Sequence, residues 1–355
     1  MNANERRISE LDGIRGLAAL GVVIHHYHGH LHGEPLHTLL GPVYIGGYFF
    51  VDLFFVLSGF ILAQVYAYER RYPTVRAAIV SRIARMYPLH LVTLFLVAVL
   101  QKVHVLLTNY CFIYSYNDWR HLLLNVFMLN DSGLQTGWSF NGPSWSISTE
   151  IIVNVVFLAL ALCSFRRSLL VGCVFVSGAI ALDCAVGWTS FEPGLRPFNG
   201  LLRCFLSFGM GLLARAAYDR WRTIRMPGWT ADIALAIVIG GCAYLFSVPD
   251  RPYTLYLLAV VCFPALILLS LRSRWSGKAL SSRALVYLGQ LSFSVYLVHF
   301  PLELVIRDGM ALTRRSPPFD NLLVLIVYCA CCIAASRFTW KYLEVPARRR
   351  IKQLI

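Results

Sequence analysis

Apolar stretches follow one another along the whole chain, separated by short polar ones, and polar positions inside the stretches are few. A helix needs roughly 20 apolar residues to cross hydrocarbon. Stretches of that order can be drawn at 13–30, 43–66, 87–105, 146–164, 168–188, 199–214, 230–247, 254–271, 285–306 and 320–338. The pattern predicts an all-α integral membrane protein of about ten transmembrane helices. One transmembrane domain is expected over residues 1–345, with a basic cytoplasmic tail over 346–355. Composition agrees, because 57% hydrophobic and 14% charged residues with mean hydropathy +0.61 lie outside the balance of soluble domains.

Charge changes the picture by supplying an orientation. With the amino terminus inside, alternate segments collect Arg6 and Arg7, then Arg70, Arg71, Arg76, Arg82 and Arg85, and so on to Arg348, Arg349, Arg350 and Lys352. They gather 22 of the 32 basic residues, whereas outer segments, among them the one with Arg196, hold seven. Cytoplasmic loops carry this excess, so both termini are expected to be cytoplasmic. The net charge of +14 is thereby explained by topology; it is not gathered into one soluble module, which argues against nucleic acid as a partner. The start, Met1 to Glu10, is polar without a small-residue cleavage site, so no removable signal peptide is expected. Nine of the ten cysteines fall in or at the edges of apolar stretches and read as packing residues.

Polar residues inside apolar stretches are the candidate chemistry, since ionisable groups in hydrocarbon are costly and tend to face a bundle interior or a substrate path. Arg15 and His26 are eleven residues apart, which returns to nearly the same helix face about 16 Å further on. The plainer reading is that Arg15 snorkels and the histidines pack. His25, one residue away, faces a different neighbour. Asp52 needs a partner in the membrane, for which Arg15 or a first-helix histidine is the obvious candidate, while Ser58 and Gly59 have a plain packing use. Arg82 and Arg85, at i and i+3, present two guanidinium forks to phosphate or anchor the helix at the headgroups. Residues 105–145 form a long outer segment rich in aromatic and amide groups, suited to a sugar or to an interfacial belt, and hold a short re-entrant helix near Leu122–Leu129. Trp145, Ser146 and Glu150 then enter the membrane, with Glu150 at a depth that His26 shares. Tyr296 and His299 share a face of the ninth stretch. The histidine-rich loop at 27–37 has no regular ligand spacing, so no metal site is assigned.

Five of these motifs, in order, resemble the acyltransferase 3 family of membrane O-acyltransferases over essentially the whole chain. They are Leu11-Asp-Gly-Ile-Arg15 to His26, Val51-Asp to Ser58-Gly-Phe60, Arg82-x-x-Arg85-x-x-Pro88, Trp145-Ser-Ile-Ser-Thr-Glu150, and Ser294-Val-Tyr296-Leu-Val-His299. The resemblance implies transfer of an acyl group, commonly acetyl, from cytosolic acyl-CoA to a hydroxyl of a carbohydrate or glycolipid at or beyond the membrane. It places the family's arginine and histidine motif on Arg15 and His26, and its paired arginines on Arg82 and Arg85. Some relatives add an esterase-like domain after the last helix, so acceptor handling here is expected of the membrane domain or of a separate protein.

Transfer from a thioester to an alcohol needs a base for the hydroxyl proton, a task that suits the pKa of histidine. His26 is expected to be that base, oriented by Glu150 or Asp52. Arg15, Arg82 and Arg85 would hold the donor's phosphates, and Ser58, Trp145, Ser146, Tyr296 and His299, with Asp52, would bind substrate. Direct transfer and an acyl-histidine intermediate both stay open. No bound cofactor is expected beyond acetyl-CoA or another acyl-CoA as donor substrate. The expected partners are that donor, the acceptor and membrane lipid, with a homo-oligomer allowed, and the expected place is a bacterial inner membrane, crossed many times. The alternative, a proton-coupled transporter or flippase of a saccharide or lipid, predicts inverted repeats with broken helices. No repeat is evident by eye.

Overall fold

Hydrocarbon offers no water to unpaired backbone groups, so long apolar runs are forced into helices that satisfy themselves. The computed structural model describes residues 8–353 except 71, 73, 136, 187–198 and 252, and the described residues are helical with no strand. Arg6, Arg7, Arg71 and Arg196 of the charge pattern lie outside them. So do the start as far as Arg7, the last two residues of the stretch 168–188, residues 354–355 of the tail and the side chain of Lys352.

The first helix, α1, covers Ser9–Leu31. Next, α2 (His37–Gly46) runs through one 3-10 turn into α3 (Phe50–Leu62), which widens into a π turn, Ala63–Tyr68. The longest helix is α4 (Val75–Thr108), and α5 (Trp119–Val126) stands in the connection after it. There follow α6 (Trp145–Ala161), α7 (Phe165–Val186), α8 (Asn199–Trp221) and α9 (Gly228–Ser247). Two pieces, α10 (Thr254–Tyr256) and α11 (Phe263–Ser270), are joined by a π turn. After the short α12 (Trp275–Leu280) come α13 (Arg283–Thr313) and α14 (Leu322–Thr339), the latter continuing through a π turn into α15 (Val345–Lys352).

The described residues of all ten predicted stretches fall largely on helix. Among the described residues, eight helical segments are long and apolar enough to cross a membrane, the first of them His37–Tyr68. Thr254–Ser270 is shorter, and α1 falls below that hydropathy because it carries Arg15 and four histidines. The largest correction to boundaries is at α4, which begins at Val75, so Arg76, Arg82 and Arg85 stand on its first turns instead of in a loop. Similarly α1 extends through His28 and His30, which shrinks the histidine-rich loop to 32–36.

Small residues decide which helices meet. α1 and α13 run parallel, with Asp12 beside Gly289 at one end and His30 beside Glu303 at the other. A Cβ on Gly289 would stand 2.0 Å from the carbonyl oxygen of Asp12, and one on Gly13 would stand 2.2 Å from that of Leu280. Only glycine permits backbones this close. α3 and α8 cross in the same manner through Gly59 and Gly211, each of which faces a backbone oxygen of the other helix, at 2.1 Å from a built Cβ. One turn and a half from that crossing, Arg203 of α8 binds both oxygens of Asp52 on α3, with both side chains fully buried.

The connection 109–144 folds inward. Asp118 caps α5 by accepting from the amide of His121 at 3.0 Å, and Phe112, Tyr114 and Phe140 pack with Phe300 of α13. Pro301 has no N–H for the carbonyl of Leu297, four residues back, and the buried amide of Asn141 donates to that oxygen instead, at 3.1 Å. The expected short helix is present as α5, three residues earlier than drawn; Phe112, Tyr114 and Phe140 are core, whereas Tyr110, Tyr116, Trp119 and Phe127 are exposed.

Candidate active site

Seven of the expected site residues line one partly open cavity: Arg15 of α1, Ser58 of α3, Arg82 and Arg85 of α4, Ser146 and Glu150 of α6, and Tyr296 of α13. Phe54, Phe55, Met86 and Phe293 supply apolar wall. Of the charged residues that line the cavity three are arginines and one, Glu150, is a carboxylate; Arg15 also lies 4.0 Å from Asp12 of its own helix. Glu150 accepts from Arg82 Nη2 at 2.7 Å and from Ser58 Oγ at 2.6 Å. At its other end Tyr296 donates to the carbonyl of Pro143 at 2.8 Å, and Ser146 donates to Tyr296 at 2.7 Å.

His26 stands beyond that end. Its ring lies 4.9 Å from the ring of His299, which in turn lies 6.0 Å from Tyr296. The expected partnership of His26 with Glu150 or Asp52 is not what the structure holds. Glu150 faces the arginines, because a guanidinium that is always charged draws a carboxylate out of hydrocarbon more strongly than a neutral imidazole does. Asp52 is taken by Arg203 and by Ser207, not by Arg15 or a histidine, and is walled off from the cavity. Trp145 is likewise turned away: its ring covers Arg203 at 5.5 Å and meets Phe55 edge to face. Asp52 and Trp145 therefore join α3, α6 and α8, and neither lines the cavity.

The carboxylate near His26 is one that sequence reasoning did not assign. His26 Nδ1 lies 3.5 Å from His30 Nε2, and His30 Nδ1 donates to Glu303 at 2.6 Å. Tyr328 of α14 donates to the other oxygen of Glu303 at 2.7 Å, and Arg307 donates to the backbone carbonyl of His30. Two i, i+4 spacings, His26 with His30 and His299 with Glu303, were visible in the sequence and carry the signal. His25 is turned away from this group and donates through Nδ1 to the carbonyl of Tyr44 at 2.7 Å. His28 and His37 both pair with Glu34, at 3.2 and 2.8 Å.

Comparison with known proteins bears on the chemistry of this arrangement. The profile of the acyltransferase domain, Acyl_transf_3, matches residues 8–340. The chain belongs to the acyltransferase 3 family. It is an integral multi-pass membrane protein and an acyltransferase by that membership. Among relatives of the family, it is 27% identical to the membrane-bound transacylase BcsY of Komagataeibacter xylinus, over 84% of this chain and 73% of that one. It is 22% identical to the O-acetyltransferase OatA of Staphylococcus aureus over 97% of its own length and 58% of that protein's. It is 33% identical to protein 2 in the picA locus of Rhizobium radiobacter, over 41% of this chain and 78% of that protein. The chain thus spans little more than half the length of OatA. No solved structure gave a significant match.

Proposed function

We propose that this acyltransferase moves an acyl group, acetyl before longer ones, from cytosolic acyl-CoA to a hydroxyl of a cell-surface or exported carbohydrate or glycolipid. The observation that carries the reading is the convergence of Arg15, Arg82 and Arg85 on one cavity whose wall residue Tyr296 neighbours His299, the ring beside His26. Three guanidinium groups suit the phosphates of the donor, and the apolar wall suits its thin pantetheine arm. The arginine end is taken as cytoplasmic and the histidine end as outward, in a bacterial inner membrane.

His26 removes the acceptor's hydroxyl proton as the oxygen attacks the thioester carbon. The C–O bond forms, the C–S bond breaks, and the proton passes from His26 to the departing thiolate, which leaves as CoA–SH. We assign the Tyr296 hydroxyl, once it turns from the carbonyl of Pro143, to the thioester carbonyl, where negative charge develops, with Ser146 donating to the phenol oxygen. Glu150 spaces Arg82 and orients it, leaving the other guanidinium nitrogens of that side chain for phosphate.

The test is transfer of radiolabel from acetyl-CoA, and from longer acyl-CoA donors, into membrane material. Parent protein moves label and His26→Ala, still folded and inserted, falls by a factor of about 100 or more. Arg85→Ala raises KM for the donor with a smaller change in kcat. No transfer from any acyl-CoA donor overturns the reading.

A further inference from the structure

We propose that His30 and Glu303 are positioning residues of the transfer reaction, which fix the tautomer of His26 and hold its charge when it takes up a proton. The inference rests on the reading of His26 as base.

The hydrogen bonds define the proton positions one after another. Glu303 is a fully buried carboxylate and only accepts: from Tyr328 at one oxygen, 2.7 Å, and from His30 Nδ1 at the other, 2.6 Å. His30 therefore carries its proton on Nδ1 and offers a lone pair at Nε2. That nitrogen faces His26 Nδ1 at 3.5 Å, so His26 places its proton on Nδ1. The lone pair of His26 is left on Nε2, where an incoming hydroxyl can be deprotonated. A single histidine has no such preference, and the wrong tautomer would present an N–H to the acceptor.

The same chain works in the second half of the event. When Nε2 takes the hydroxyl proton, His26 becomes an imidazolium in a region poor in water. Its Nδ1–H then points at His30, whose far side touches the Glu303 carboxylate, so the positive charge is met by a negative one through a polarisable ring. No proton needs to leave His26 along this path. It returns from Nε2 to the thiolate, and His30 and Glu303 end the cycle as they began.

The other charged and titratable groups near this chain have different tasks. His25 is held by the carbonyl of Tyr44, His299 approaches the carbonyl of Val295 through Nδ1, and Arg307 holds the last turn of α1 through the carbonyl of His30. Tyr114 meets His30 edge on from the connection 109–144. Asp308, one turn beyond Glu303, is paired with His104 of α4 at 2.6 Å. Glu303 is thus the carboxylate that the structure brings to the pair of His26 and His30 among the described residues, Glu34 being taken by His28 and His37.

The experiment measures initial rates of label transfer from radiolabelled acetyl-CoA to membrane material, with variants that elute as folded monodisperse protein. We expect Glu303→Gln and His30→Ala to lower kcat about 100-fold, with KM for acetyl-CoA within about twofold of the parent value. His30→Gln, whose amide can bridge His26 and Glu303, should recover at least part of the loss, a rescue that a purely structural role would not give. If Glu303→Gln fails to fold, Tyr328→Phe keeps the carboxylate but removes one of its donors, and a several-fold fall in kcat is expected. Parent kcat in Glu303→Gln, in His30→Ala or in a folded Tyr328→Phe, or a loss carried wholly by KM, overturns the proposal. If His26→Ala is inactive while these variants match the parent, the positioning chain alone falls. If His26→Ala itself retains the parent rate, the assignment of the base falls and the chain with it.

Discussion

His25 and His26 are adjacent in sequence, yet a step of about 100° separates their faces, and the partners differ accordingly. His25 donates to a backbone carbonyl on α2, whereas His26 turns to His30 and His299. His25→Ala should therefore lower thermal stability in detergent by about 1 kcal/mol, the net worth of one such hydrogen bond, and leave the rate of label transfer near the parent value. Asp131, in the connection before α6, offers a pH-dependent counterpart. Burial pushes its carboxyl up to about 8, and Oδ2 is left without a hydrogen-bond partner among the described residues. A raised carboxyl holds its proton in the folded state after the unfolded chain has lost it. Its contribution to stability is therefore fully present below about pH 4, is lost as pH rises to about 8, and is flat beyond. Asp131→Asn should flatten the fall in melting temperature between those limits, as followed by intrinsic fluorescence. The site residues were legible to the extent that they stood out from apolar surroundings: Arg15, Arg82, Arg85, Ser58, Ser146, Glu150 and Tyr296 all meet at one cavity. Their pairings were not legible, because spacing along one helix does not say which neighbour a side chain reaches. Asp52 illustrates this, since its partner Arg203 is 151 residues away.

At the scale of helices, the bundle is held by close crossings. Gly59 and Gly211 let α3 and α8 touch, and the buried pair of Asp52 and Arg203 fixes their register. Gly59→Val should cost roughly 1–3 kcal/mol or more, since the obstacle is backbone that cannot turn aside. Asp52→Asn should cost about 3–5 kcal/mol by leaving a buried guanidinium uncompensated, and the double change Asp52→Leu with Arg203→Met should recover most of that loss. Thermal unfolding of the three variants in one detergent separates packing from charge. The order of the long helices could be read from apolar length, but their ends could not. Arg76, Arg82 and Arg85 extend α4 because arginine is a good helix former, and Arg82 and Arg85 line the cavity from that helix, whereas hydropathy alone ends a span where charge begins.

For the whole molecule, α1 and α13 run side by side in the same direction from the arginine end, and α15 packs against α4. If that end faces the cytoplasm, as the charge pattern predicts, a fluorescent protein fused after residue 355 should fold and alkaline phosphatase there should be inactive, with the reverse for fusions after Arg315. The opposite result would invert the proposed path of the donor. The parallel pairing of α1 and α13 also bears on the history of each molecule. His30 and Glu303 lie 273 residues apart, so the helix that carries His26 enters the membrane long before the helix that orients it. A ribosome-bound or truncated chain already owns Arg15, Arg82, Arg85, His26 and His30, but without Tyr296, His299 and Glu303 of α13 it has no complete reaction centre. On the proposed mechanism a half-made protein is expected not to turn over thioester, and competence is expected to arrive only when α13 has inserted.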